Sequence, residues 1–243
     1  MRAVVCLVTY NERDNIAWMI EHILGQAPCL DVLVVDDNSP DGTGEVVETL
    51  AARPTSAGRV SIVHRPGKAG YGSAVLLALE TALKRGYDPI LTMDADRSHD
   101  PRRLRRMLRA LEGCDVVIGS RYVPGGGTKN WPVSRLVQSR LANLYVRIAL
   151  GLSAADASGG FRGYRADLLR RARLDRIANV GYIVLEEILF HCVRAGARVM
   201  EVPIVFVDRA AGVSKLSRWE VLRGLWAVLK LRWRFGTARG SAV

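Results

Sequence analysis

Through its first 120 residues the chain alternates short apolar runs with stretches of helical periodicity, and this rhythm constrains the fold more than any other feature. Runs at 3–8, 31–35, 60–64, 90–93 and 116–120 have strand length, and the segments between them (15–25, 42–52, 71–85 and 100–111) place apolar residues at helical spacing. A β-α-β-α succession of this kind predicts an α/β, doubly wound and mainly parallel sheet. Ligands of such sheets lie outside the carboxyl ends of the strands. Polar clusters fall at those ends: Tyr10-Asn11-Glu12, Asp36-Asp37-Asn38-Ser39, Asp94-Ala95-Asp96 and Arg121.

Beyond residue 120 the pattern changes. Pro124 to Gly127 reads as a flexible loop, 133–150 as a helix and Ser158-Gly159-Gly160 as a second loop. Segment 183–194 reads as a helix, 199–207 as a strand and 217–235 as a last helix. We expect one catalytic domain over 1–216 and a basic amphipathic helix with its tail over 217–243.

Asp94 and Asp96 are separated by one residue at a strand end, where two carboxylates can share a hard divalent cation with a substrate's phosphates. Asp37 is placed to accept hydrogen bonds from a nucleoside, and Asp41 to cap the helix that follows. The glycine-rich basic loop from Arg65 to Gly72 offers backbone amides and Lys68 to a pyrophosphate, or is an ordinary turn. It matches neither a Walker A loop nor a dinucleotide fingerprint. His99 reads as a helix-entry residue that orients Asp96. No nucleophile–histidine arrangement can be argued from spacing.

The formal net charge is +11, which calls for an anionic partner. Nucleic acid is disfavoured, because the basic residues lack RNP-like aromatics or zinc spacing and gather on amphipathic helices. One basic run, Arg102 to Arg109, reads as a solvated face or a membrane-facing patch. In the 133–150 helix, Val137, Leu141, Leu144, Ile148 and, beyond it, Leu152 form a stripe that is either core or an interfacial face. Trp219, Trp226 and Trp233 recur every seven residues of the last helix, among Leu222, Leu225 and Leu229 and many arginines. That face either meets a membrane surface or docks on the catalytic domain. No apolar run reaches the ~20 residues needed to span a bilayer. The four cysteines are scattered, three of them in apolar surroundings, and read as reduced thiols in a cytosolic protein, with no signal peptide before the first strand.

In order, the stretches Thr9 to Glu12, Val35 to Thr43, Met93 to Pro101, Gly119 to Gly126, Asn130-Trp131-Pro132, Gly159 to Arg162, Gly181-Tyr182, Glu201 to Ile204, Arg209 and Ser214-Lys215 resemble a family 2 glycosyltransferase of the polyprenol-phosphate (dolichol-phosphate) mannose synthase group. The resemblance covers about residues 2–217. It implies a GT-A (Rossmann-like) fold with C-terminal amphipathic helices, and metal-dependent inverting transfer of mannose from GDP-mannose to a polyprenyl monophosphate. It places Thr9, Tyr10, Glu12, Asp36, Asp37, Lys68, Asp94 and Ala95 at the donor. Asp94 and Asp96 fall at Mg2+ or Mn2+, with Ser98 where some relatives carry a metal-reaching Gln. Arg121, Arg135, Ser139, Arg209 and Lys215 fall at the acceptor's phosphate, and Asp96, Arg121, Arg209 and Lys215 at the reacting centre. Leu185 stands where a Gln is common. The implied setting is the cytoplasmic face of a membrane, with room for a separate membrane subunit. A UDP-glucose donor and a natural-product acceptor are the neighbouring alternatives; a catalytically dead scaffold is disfavoured by the intact Asp94, Asp96 and Arg121.

Overall fold

The computed structural model describes residues 2–56, 58–177, 181, 183–208 and 218–238, and in the last helix describes side chains from 223 onward. The first half follows the expected alternation: β1 (Ala3–Thr9), α1 (Arg13–Leu24), β2 (Leu30–Asp36), α2 (Thr43–Ala52), β3 (Val60–His64), α3 (Tyr71–Lys84), β4 (Ile90–Asp94), α4 (Leu104–Ala110) and β5 (Val116–Ser120). The second half comprises β6 (Gly127–Lys129), α5 (Val133–Leu150), β7 (Arg162–Tyr164), α6 (Ala166–Ala172), α7 (Val184–Arg194), β8 (Val199–Pro203), β9 (Val205–Val207) and α8 (Arg218–Phe235).

Seven strands form one sheet in the order β3-β2-β1-β4-β7-β5-β8, all parallel to their neighbours except β7, which runs antiparallel between β4 and β5. Every residue of β2 is buried, as a strand covered on both faces must be. One layer, with α1, α2 and α4, packs Ile16, Ile20, Val47, Leu104 and Met107 against the sheet. The opposite layer packs Ala78 and Leu79 of α3, Val146 and Leu150 of α5, Leu168 of α6, Ile188 and Phe190 of α7, and Val228 and Leu231 of α8.

Several boundaries depart from the sequence reading. The segment expected as one helix over 100–111 begins as a 3-10 turn, Pro101–Arg103, with Asp100 accepting from Arg102 N at 3.0 Å, before α4 starts. The expected strand 199–207 is two strands, because Pro203-Ile204 ends the ladder to β5 and hands β9 to a separate two-stranded ribbon with β6. The expected loop at Gly127 forms that β6. Gly126 explains the tight approach: a Cβ there would lie 2.5 Å from the Ser120 carbonyl oxygen.

The α5 stripe is not core. Val133 (76% exposed), Val137, Leu141, Leu144 and Ile148 all face outward, while Leu152 alone turns inward past the Gly151 cap. Trp226 and Trp233 (90% exposed) likewise point away from the protein, and α8 docks through Val228 and Leu231 instead. The two helices are joined by Tyr145 Oη donating to Leu225 O at 2.9 Å and Arg232 Nη1 to Ala149 O at 2.9 Å. The two helices therefore lie side by side, and each leaves apolar side chains exposed. The arginine-rich α4 packs on the other side of the sheet from them. Trp219 and Leu222 lie outside the described side chains.

Candidate active site

Parallel register levels the carboxyl ends: Thr9 of β1 is opposite Asp36 of β2, and Val8 is opposite Asp94 of β4. In a sheet of this kind, ligands bind beyond these ends. On one side, Tyr10 is half-exposed with Lys68 Nζ 4.4 Å from its ring centroid, so the glycine-rich loop folds over the end of β1. Asp37 is buried in an ion pair with Arg65, whose Nη2 also donates to Ser73 Oγ at 2.7 Å. Thr9 and Asp36 turn toward each other: Asp36 Oδ1 accepts from Thr9 Oγ1 at 2.8 Å and from Ser39 Oγ at 2.6 Å. These two set the backbone of the strand ends. The cap position of α2 is Gly42 and not the expected Asp41, which lies one residue ahead of it and accepts from Thr43 N at 2.9 Å; Glu12 accepts from Asn15 Nδ2 at 2.9 Å.

At the end of β4, Ala95 is buried in the core and leaves Asp94 and Asp96 partly exposed on either side. Asp96 Oδ1 accepts from Ser98 N at 3.0 Å and from Ser98 Oγ at 2.5 Å. His99 attends Asp94, not Asp96 as expected. Its Nδ1 accepts from the Asp94 amide at 3.2 Å and lies 3.7 Å from Asp94 Oδ2. Burial lowers the His99 pKa against the pull of both aspartates, so the ring is a neutral acceptor wedged against Phe161 and Phe206. Two carboxylates from one strand end are a donor set suited to Mg2+ or Mn2+, which take hard oxygen ligands and leave positions for water and phosphate oxygens. Among the described residues no group of three or more metal-ligating side chains is found. Gly160 closes the floor: a Cβ there would stand 3.2 Å from both Asp94 Oδ1 and Tyr71 Oη.

The far wall is built around Arg121. Its Nε and Nη2 form a fork on Asp156 at 2.8 and 2.7 Å, Nη2 reaches Ser158 Oγ at 2.9 Å, and its backbone N–H donates to Asp156 Oδ2 at 2.9 Å. Nη1 has no hydrogen-bond acceptor among the described residues. Burial works against the Arg121 charge, and Asp156 more than offsets this, leaving its pKa raised. Asp156 is itself held by Glu201, which accepts from the amides of Ala155 at 2.7 Å and Asp156 at 3.0 Å. The guanidinium is ringed by Tyr122, Trp131 and Phe206, and Trp131 also carries the Arg135 guanidinium at 4.1 Å. Arg135 pairs with Asp208 at 2.6 Å, and Ser139 Oγ accepts from Tyr122 Oη at 2.6 Å. Arg121, Arg135 and Ser139 are thus brought together; Arg209 and Lys215 lie outside the described residues.

Against known proteins, the chain matches Glycosyl transferase family 2 over residues 4–173. It belongs to that family. The glycosyltransferase is 41% identical over 242 residues to the polyprenol monophosphomannose synthase of Mycolicibacterium smegmatis, covering 98% of this chain and 91% of that one. It is 46% identical over 217 residues to the undecaprenyl-phosphate mannosyltransferase of Micrococcus luteus, covering 89% and 88%. Glucosyl-3-phosphoglycerate synthase from Mycobacterium tuberculosis, crystallised with Mn2+, UDP-glucose and phosphoglyceric acid, superposes with a TM-score of 0.66 at 20% identity over 95% of this chain and 79% of that one. That likeness establishes the GT-A-like α/β fold.

Sequence reasoning missed Asp156 and Asn143, and it named the loops that begin at Arg65 and Ser158 without giving either side chain a role. Asp156 had one signal, a lone acid in the small-residue run Ala154 to Ser158 ahead of the glycine pair; Asn143 had none.

Proposed function

We propose that this glycosyltransferase moves mannose from GDP-mannose to a polyprenyl monophosphate at a membrane surface, with inversion at the anomeric carbon. The observation that carries the reading is a juxtaposition. Asp94 lies near enough to Arg121 to act on its charge, Trp131 bridges Arg121 to Arg135, and Arg135 lies at the start of the exposed apolar face of α5. An acceptor with an anionic head and an apolar tail fits that arrangement, and the two named relatives support it. No described helix is long and apolar enough to cross a membrane. We place the protein on the cytoplasmic leaflet, lying on α5 and α8, with or without a separate membrane subunit.

In the step itself, an oxygen of the acceptor phosphate forms a bond to the anomeric carbon while the bond from that carbon to the donor's diphosphate oxygen breaks. A monophosphate ester carries more than one negative charge near neutrality, so no general base is needed. Neutral, buried His99 is consistent with that. Asp94 and Asp96 would hold Mg2+ or Mn2+, which when bound supplies charge neutralisation to the departing diphosphate. Arg121 contributes a fixed positive charge whose free edge, Nη1, needs no reorganisation as the reaction proceeds. Tyr10 and Lys68 cover the nucleoside end, and Arg209 and Lys215 are proposed as further phosphate contacts.

The test is a panel of radiolabelled GDP- and UDP-sugars with polyprenyl phosphate, scored for organic-extractable label. Label from GDP-mannose is expected; its absence, with label from another donor, would move the assignment to that sugar.

A further inference from the structure

α5 has one polar residue that is buried outright. Asn143 is 3% exposed, on the same inward face as Val146 and Leu150. A buried amide is costly unless its hydrogen bonds are made. Those of Asn143 are made in a particular way: Nδ2 donates to Ser158 Oγ at 3.1 Å, and Oδ1 accepts from Ser158 N at 3.2 Å. Nδ2 also donates to Ser139 O, one turn back on α5, at 2.9 Å. Asn143 therefore grips Ser158 from both sides.

Ser158 has no capacity to spare. Its hydroxyl oxygen accepts from Asn143 and from Arg121 Nη2 at 2.9 Å, and its proton points to Asp156 Oδ1 at 3.5 Å. The residue after Arg121 is fastened to the same helix, since Tyr122 Oη donates to Ser139 Oγ at 2.6 Å. Two ties, one helical turn apart, thus join α5 to the Arg121 fork and to the side chain of the residue beside it. The opposite face of α5 is the exposed apolar stripe from Val133 to Ile148.

We propose that Asn143 is a positioning residue that transmits the seating of α5 to Arg121, so that docking α5 on a lipid surface and aligning the arginine with the acceptor's phosphate are one event. The proposal rests on the reaction assigned above, while the exchange arm tests the coupling of Asn143 to Arg121 without it.

The first arm needs no turnover. In full-length protein labelled with 15N-arginine, the Arg121 Nε–H signal is identified by its loss in Arg121→Lys, and its solvent exchange is followed. Asn143→Ala should speed that exchange about tenfold, as expected when a buried hydrogen-bond partner is removed. Asn143→Asp, which keeps the acceptor for Ser158 N, should recover part of the protection. In the second arm, with polyprenyl phosphate in anionic vesicles, Asn143→Ala should lower kcat/KM for the acceptor about tenfold while the donor KM stays unchanged. In an Arg121→Lys background the same substitution should add nothing, because the two act as one unit. Unchanged exchange in folded Asn143→Ala, or fully additive kinetic losses, would overturn the proposal. Failure of the wild type to use polyprenyl phosphate would sink the reaction assignment, and the exchange arm would still decide the role of Asn143.

Discussion

Asp156→Asn is the most informative perturbation of the wall opposite the aspartates. The change is isosteric, so it makes no cavity; it removes the charge that Arg121 faces and turns an amide against a guanidinium that can only donate. Exposure of the two side chains is 9% for Arg121 and 0% for Asp156, so water cannot replace the lost partner. Three Arg121 donors (N, Nε and Nη2) end on this one carboxylate. Breaking a buried pair by removing one member costs about 3–5 kcal/mol, because the remaining charge stays desolvated. For a chain of this size each kcal/mol lowers the thermal midpoint by about 2–4 °C, which predicts a fall of roughly 6–20 °C. Differential scanning calorimetry at neutral pH measures it. The control is Asp175→Asn, whose pair with Arg173 has the same kind of fork but is more than half exposed at both ends, and whose midpoint should not move. An Asp156→Asn midpoint within about 2 °C of wild type would refute the claim that Asp156 holds a desolvated arginine.

Three further outcomes are expected. Trp226→Ala with Trp233→Ala should weaken cosedimentation with anionic vesicles about tenfold or more while leaving the thermal midpoint in place, since both rings are exposed; a lowered midpoint with unchanged binding would mean the face packs on protein. Asp96→Ala should abolish sugar transfer with little change in urea stability, and near-normal turnover would remove the carboxylate pair from the mechanism. Burial raises the Glu186 pKa from 4.5 to about 7, with Arg162 acting against the shift. The native state then keeps a proton that the unfolded chain has already released, so this stabilisation is present below pH 4.5 and is lost as pH rises through 7, at a cost of about 3 kcal/mol. Glu186→Gln should flatten that part of the pH profile in urea unfolding, and parallel profiles for the two proteins would contradict the burial argument.

The parts legible in the sequence are those whose information is local. β1 to β5 are apolar runs bounded by polar strand ends, and α5 occupies the residues its periodicity assigns, Val133–Leu150. The orientation of α5 was not legible, because an apolar stripe looks the same whether it faces a core or a lipid. β7 escaped notice for a different reason: Arg162-Gly163-Tyr164 is three residues long with an arginine at its start. That arginine is fully buried, donating to the carbonyls of Gly159, Leu185 and Ala157, a solution no composition rule anticipates. Within the site, the aspartate pair announced itself by spacing, whereas Arg121 and Asp156 meet only because β5 and the 151–161 loop converge. Pairings across 35 residues leave no periodic trace.

Because β7 is inserted between β4 and β5, it sets a ruler across the crevice. Thr92 of β4 and Ile118 of β5 both register with Arg162, so the strand ends bearing Asp94 and leading to Arg121 are two strand spacings apart, roughly 9.5 Å. Between them runs the backbone of Gly159 and Gly160, pinned by Thr92 Oγ1 donating to Gly160 O at 2.8 Å. No side chain rises from that strip. On the proposed reaction, the gauge of the sheet itself would fix how far apart the departing and arriving phosphates stand, and a sugar ring would bridge them over bare peptide. Changing the donor's hexose would then call for altering side chains at the rims, while changing the distance over which it is handed across would require a different sheet.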